Sequence, residues 1–217
     1  MKHGLVFWNS ETASCRRTSF PGLRKSILLA AFFAVQTVFG QIYIGGDRGS
    51  YEERTISYSV GSSEVYVGYY GTGILNLTET GEVSAYNVWV GSKVGAYGHA
   101  VVSGTVEALI HLYVGGAGTG SLTLNNGVVS VAQVSHIGNS NAGHGTATVN
   151  SGTWSTGGLY VGHYGTGFFT LNGGLVVGNT GSLGTMTTRT GTVTVTGGTL
   201  SMQNVLMLGE RQRDTVH

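Results

Sequence analysis

The chain is short of charge, cysteine and proline, and each shortage excludes something. Only 10% of its 217 residues are Asp, Glu, Lys or Arg, against a usual share of about a quarter. The single cysteine, Cys15, and the single proline, Pro21, both lie in the first forty residues. From Gln41 onward no disulfide and no thiolate metal site is open to the chain. Acids are missing over a long span. After Glu107 none occurs until Glu210, and Arg189 is the only charged residue between them. From Gln41 to the end six Lys or Arg face nine Asp or Glu, a net charge of −3. With no basic stripe, the electrostatic footprint of a nucleic-acid binder is absent. Sustained helical periodicity is also absent beyond residue 40, and apolar residues are regularly placed, unlike those of a disordered chain.

What is abundant is glycine, with 38 residues, and it recurs in a phrase. An apolar residue, usually an aromatic, a second apolar residue and then glycine appear as IYIG at Ile42, VYVG at Val65, VWVG at Val88 and LYVG at Leu112. SHIG at Ser135, LYVG at Leu159, a worn GSLG at Gly181 and LMLG at Leu206 continue the series. The glycines are Gly45, Gly68, Gly91, Gly115, Gly138, Gly162, Gly184 and Gly209, spaced by 22 to 25 residues. A period of that length marks a repeat architecture, whose units bury their apolar faces only by stacking on one another.

One unit, LYVGGAGTGSLTLNNGVVSVAQ from Leu112, divides into LYVG, SLTLN and VVSVA, joined by turns rich in Gly and Asn. Each piece alternates apolar and polar residues, the mark of a strand with one buried face. Glycine and asparagine in the turns permit positive backbone φ. Three short strands per unit predict an all-β fold, a single-stranded right-handed parallel β-solenoid of about seven coils. Residues 65–209 are its repeats and 41–64 a degenerate first coil or N-terminal cap. The charged stretch 210–217, ERQRDTVH, is a cap or a truncated coil, since the expected second strand is missing after Gly209. A propeller blade would need about 40 residues per repeat.

Residues 1–40 read as an address. Arg16, Arg17, Arg24 and Lys25 precede an apolar run from Ile27 to Phe39, and Val38 and Gly40 sit before a cut ahead of Gln41. A basic region, a short apolar core and small residues at the cut describe a secretory signal peptide. The run is shorter than the roughly 20 residues a membrane span needs, so no transmembrane segment is expected in the mature chain.

The pattern V-G-x-x-G-x-G-x-L-x-L-x-x-G-x-V-S over about residues 42–209 resembles the passenger repeats of bacterial autotransporters and related surface β-helix proteins. The resemblance implies a right-handed β-helix, export and exposure at the cell surface or outer membrane, and no particular ligand. The C-terminal β-barrel of that family is not in this sequence.

The search for chemistry is mostly negative. Polysaccharide-cleaving β-helix enzymes use clustered carboxylates as acid and base or as calcium ligands, and half of this solenoid has none. Glu79 and Glu82 flank a turn at Gly81, and Glu52-Glu53-Arg54 reads as a solvated charge run. His99, His111, His136, His144 and His163 stand at different offsets from their repeat glycines, so no histidine cluster and no metal site are expected. No carboxylate accompanies a histidine to activate a serine, and Gly116–Gly120 lacks the Lys-Ser/Thr of a phosphate loop. The regular run Thr192, Thr194, Thr196 stands in one coil only, which argues against an ice-binding face.

The candidate site is a column. Two residues before successive repeat glycines stand Tyr43, Tyr66, Trp89, Tyr113, His136 and Tyr160, then Ser182 and Met207. Their neighbours are mostly Val, Ile or Leu, so strand alternation turns the rings outward. Coils about 4.8 Å apart would make them a ladder. The ladder is either a binding surface or a device that stabilises the sheet. The expectation is an exported, non-enzymatic surface segment, structural or adhesive, without cofactor, whose partner is a glycan or a host or cell-surface protein. It is either complete or part of a longer polypeptide. The alternatives are a β-helix protein that binds or degrades polysaccharide, and a truncated fragment without function.

Overall fold

The computed structural model describes residues 36–37, 40–184, 190–208 and 215–216. The apolar core of the expected leader, the proposed repeat glycine Gly209 and most of the 210–217 tail lie outside the described residues. Within them the chain is a parallel β-solenoid of about seven turns, and no helix occurs.

Each coil contributes one long and one short strand to two parallel sheets. The long-strand sheet runs Gln36–Thr37 and Gln41–Ile44, then Ser59–Val67, Glu82–Val90, Thr105–Val114, Gly127–Ile137, Gly152–Val161, Leu175–Leu183 and Thr199–Leu208. The short-strand sheet runs Tyr51–Ile56, Thr72–Leu77, Tyr97–Val102, Thr119–Leu124, His144–Val149, Thr166–Leu171, Thr190–Val195 and Thr215–Val216. The sequence predicts three strands per coil, and the structure has two. The third piece of one unit and the first of the next are a single strand bent at a register irregularity, as between Val131 and Val134 or between Ala85 and Asn87. The bend exposes Tyr86 and Leu109 at the corner. The missing second strand after residue 209 is present in miniature. Thr215 and Val216 pair with Thr192 and Val193.

Alternation within each strand makes the core. Thr72–Leu77 and Thr119–Leu124 bury every second residue, and the columns of Val, Leu and Ile thus formed are almost fully enclosed. One inward position is polar for a reason. Ser135 stands in register between Leu112 and Leu159. Its hydroxyl accepts a 3.1 Å hydrogen bond from the indole of the fully buried Trp154 and donates to Thr156 at 3.1 Å. A buried indole N–H without a partner would be costly, and a serine one coil away satisfies it.

The repeat glycines do two jobs. All seven from Gly45 to Gly184 have positive φ. Each of Gly68, Gly91, Gly115, Gly138, Gly162 and Gly184 donates its N–H to the preceding coil, as Gly68 does to the Ile44 carbonyl at 2.7 Å. A Cβ on Gly68 would lie 2.2 Å from the Tyr97 carbonyl oxygen, so no other residue fits. The Gly45 N–H donates to the Glu52 carboxylate at 3.0 Å, itself held by Arg54 at 2.7 Å. The Glu52-Glu53-Arg54 run is therefore more than a solvated charge run: it caps the first turn. Glu53 adds a bond from the Asn76 amide at 2.9 Å.

Candidate binding face: an aromatic ladder

The bent half of the long strands turns residues two before each repeat glycine outward, and parallel pairing puts them in register. Tyr43 aligns with Tyr66, Tyr66 with Trp89, Trp89 with Tyr113, Tyr113 with His136 and His136 with Tyr160. Ser182 and Met207 continue the line. The six candidate residues predicted from the sequence are thus brought together as one column. The rings from Tyr43 to His136 stack nearly parallel, at centroid distances of 5.0, 6.2, 3.8 and 4.9 Å with interplanar angles of 17° or less. Tyr160 breaks the series by standing edge-on to His136 at 85°.

Stacking along the solenoid axis decides what the face can offer. Ring faces point at neighbouring rings, so edges and hydroxyls meet solvent. The ladder therefore presents a stripe of ring edges. All six rings are half-buried except Tyr43 at the end, which is 36% exposed.

Two flanking columns complete the face. Four residues before the glycines stand Gln41, Glu64, Asn87 and His111. Glu64 accepts from the Trp89 indole at 2.8 Å and from the Asn87 amide at 2.7 Å. Asn87 in turn accepts from the His111 backbone N–H at 3.2 Å, and Tyr43 donates its hydroxyl to Gln41. On the other side Tyr69 stands edge-on to both Tyr43 and Tyr66, at 5.0 and 4.8 Å, with Lys93 over its ring at 5.3 Å. Sequence reasoning treated only one offset and missed these residues. Reading the position four before each glycine would have exposed the first column.

The histidines require a correction. Their offsets differ, yet His111, His136 and His163 meet, because strand alternation puts the first two on one face and the turn returns the third over it. Ring centroids lie 5.6 Å apart for His111 and His136, and 6.0 Å for His136 and His163. The Nδ1 atoms of His111 and His136 are buried without a hydrogen-bond partner. Burial, then repulsion from His111 and His163, pushes the His136 pKa down to about 4, and burial lowers that of His163. Burial and then Glu64 push Tyr66 up to about 12, and the same two causes raise Tyr113. Around neutral pH the rings of His136, His163, Tyr66 and Tyr113 carry no charge. Among the described residues no three His, Cys, Asp or Glu are arranged to hold a metal ion.

The threonines require a second correction. Thr196 belongs to a turn, where its hydroxyl donates to Asn172 at 2.9 Å as the end of an Asn125–Asn150–Asn172 ladder. The outward triad of its coil is Thr190, Thr192, Thr194, and register places Thr166 and Thr170, then Thr146 and Thr148, then Thr119 and Thr123 beside it. The pattern does repeat across coils. A central Phe168 or Ser121, and His144 at one edge, disguise it in the linear sequence.

No protein family, curated protein or solved structure matches this chain.

Proposed function

We propose that the chain is an exported bacterial surface β-solenoid of the autotransporter-passenger kind, a structural and adhesive segment without catalysis. The leader-like residues 1–40 and the passenger-like repeat support export. The in-register stripe of ring edges carries the adhesive reading. A stripe of edges is a poor platform for a stacked sugar, which needs ring faces. It suits a protein surface rich in carbonyl and carboxylate acceptors, because aromatic edges carry the positive end of the ring quadrupole and the hydroxyls of Tyr66 and Tyr113 donate, while that of Tyr43, engaged with Gln41, accepts. The partner is therefore a host or cell-surface protein in preference to a glycan.

The test separates hydroxyls from stacking. Tyr43→Phe, Tyr66→Phe and Tyr113→Phe together keep every ring and remove three outward hydroxyls. Binding of the purified chain to intact cells should fall about tenfold, with folding stability within about 0.5 kcal/mol of the parent, as for surface substitutions. Val90→Ala, which opens a core cavity, should cost about 2 kcal/mol and leave binding of the folded fraction intact. Cell binding unchanged in the triple variant and also in Trp89→Ala would make the ladder purely structural.

A further inference from the structure

The outer face of the short-strand sheet is a second surface, independent of the ladder. In the strands TGSLTL, HGTATV, TGFFTL and TGTVTV the second and fourth residues are buried, and the first, third and fifth lie on the outer side. Their register makes a grid of four coils by three columns, and ten of its twelve positions are Thr or Ser, with His144 and Phe168 the exceptions. The fifth-position column is unbroken: Thr123, Thr148, Thr170 and Thr194. Neither these strands nor the two before them, Thr72–Leu77 and Tyr97–Val102, hold any Asp, Glu, Lys or Arg. Among the described residues none of the ten hydroxyls is engaged in a side-chain hydrogen bond within the protein.

Spacing decides the ligand. Strands pair about 4.8 Å apart, and next-but-one residues along a strand lie about 6.6 Å apart. Hydroxyls at such distances cannot bond one another, because O–H···O bonds span about 2.7–2.8 Å. Water must bridge them. In a tetrahedral water network with that bond length, second-neighbour oxygens lie about 4.5 Å apart. The coil spacing matches this to within about 0.3 Å per step, or about 1 Å over the three steps of the grid. A column of threonine hydroxyls can therefore stand in for a row of lattice oxygens, with the methyl groups filling the space between. A charge-free face also imposes no ion hydration shell that would disorder such a lattice. Sugar recognition would need amides, carboxylates or ring faces; the twelve grid positions hold no amide or carboxylate and only two rings, Phe168 and His144, with Tyr97 bordering Thr119 at the margin. We propose that this face binds ice.

The test uses the full purified chain in ice-recrystallisation and single-crystal growth assays. The parent should suppress recrystallisation and shape the growing crystal. Thr146→Arg, at an exposed grid position, should need at least tenfold more protein for the same suppression, with an unchanged thermal midpoint. Trp89→Ala, on the other face, should retain the effect. If Thr146→Arg fails to fold, Thr119→Arg at the grid edge gives the same reading. The proposal is overturned if the parent leaves ice growth unaltered, or if the arginine variants suppress it equally well. It is also overturned if the parent is inert towards ice while binding a neutral polysaccharide film in a manner lost in Thr146→Arg.

Discussion

At the scale of the residue, His136 shows how one position in a ladder can set the response of a coil to acid. It stacks on Tyr113 at 4.9 Å and meets Tyr160 edge-on. His111 and His163 flank it. Its pKa is about 4 in the fold and about 6.5 in the unfolded chain. Between those values the unfolded chain binds the extra proton, so protonation favours unfolding. Stability is full above about pH 6.5 and falls as pH drops towards 4. His163, also lowered, acts in the same direction. His136→Phe should keep the stack and flatten this dependence. Urea midpoints at pH 7 and pH 4.5 should differ less in the variant than in the parent. An unchanged difference would mean that other groups control the acid response.

At the scale of the element, the turn behind each long strand is the least forgiving part of the coil. Gly115 has φ of 72°, and a Cβ there would lie 2.3 Å from the His144 carbonyl group of the next coil. Gly115→Ala therefore combines backbone strain with a backbone clash and should cost about 2 kcal/mol or more, measured by thermal or chemical denaturation. Gly49, also at positive φ but with open space around its Cβ position, should lose less on the same change. These turns and the strands they end were legible because glycine recurring at a fixed period marks a backbone conformation that side chains forbid. The merging of two predicted strands was not legible, since pairing continues on both sides of the bend and no residue type marks it in every coil: it falls between Ala85 and Asn87 in one, at Gly157 or Gly178 in others. The outward ladder was read from alternation, but ring orientation depends on side-chain torsions and on bonds such as that from Trp89 to Glu64, which periodicity does not encode. The histidine cluster and the threonine grid were hidden for a simpler reason: both form across coils, between residues more than 20 positions apart, and only the register reveals them.

At the scale of the molecule, every coil contacts mainly its two neighbours, so stability is close to a sum of coil and interface contributions. Among the described strands, the interior coils have partners on both sides and those at either end on one. Amide hydrogen exchange should be slowest in the strands from Glu82–Val90 to Gly152–Val161 and faster in Tyr51–Ile56 and Thr199–Leu208, with a smooth gradient between. Uniform protection along the chain, lost in one step, would instead mean that the solenoid opens as a single cooperative block.

The near-constant distance in sequence between paired strands has a kinetic consequence. Each new coil closes a loop of some 23 residues onto a finished edge, as Val65 aligns with Val88 and Val88 with Leu112. The entropy lost in that closure depends on loop length alone, so the tenth coil of such a chain would be no harder to add than the third. Assembly can follow the order in which the chain emerges, each edge serving as the template for the next, and elongating the protein by duplication would lengthen the rod without slowing the step that builds it.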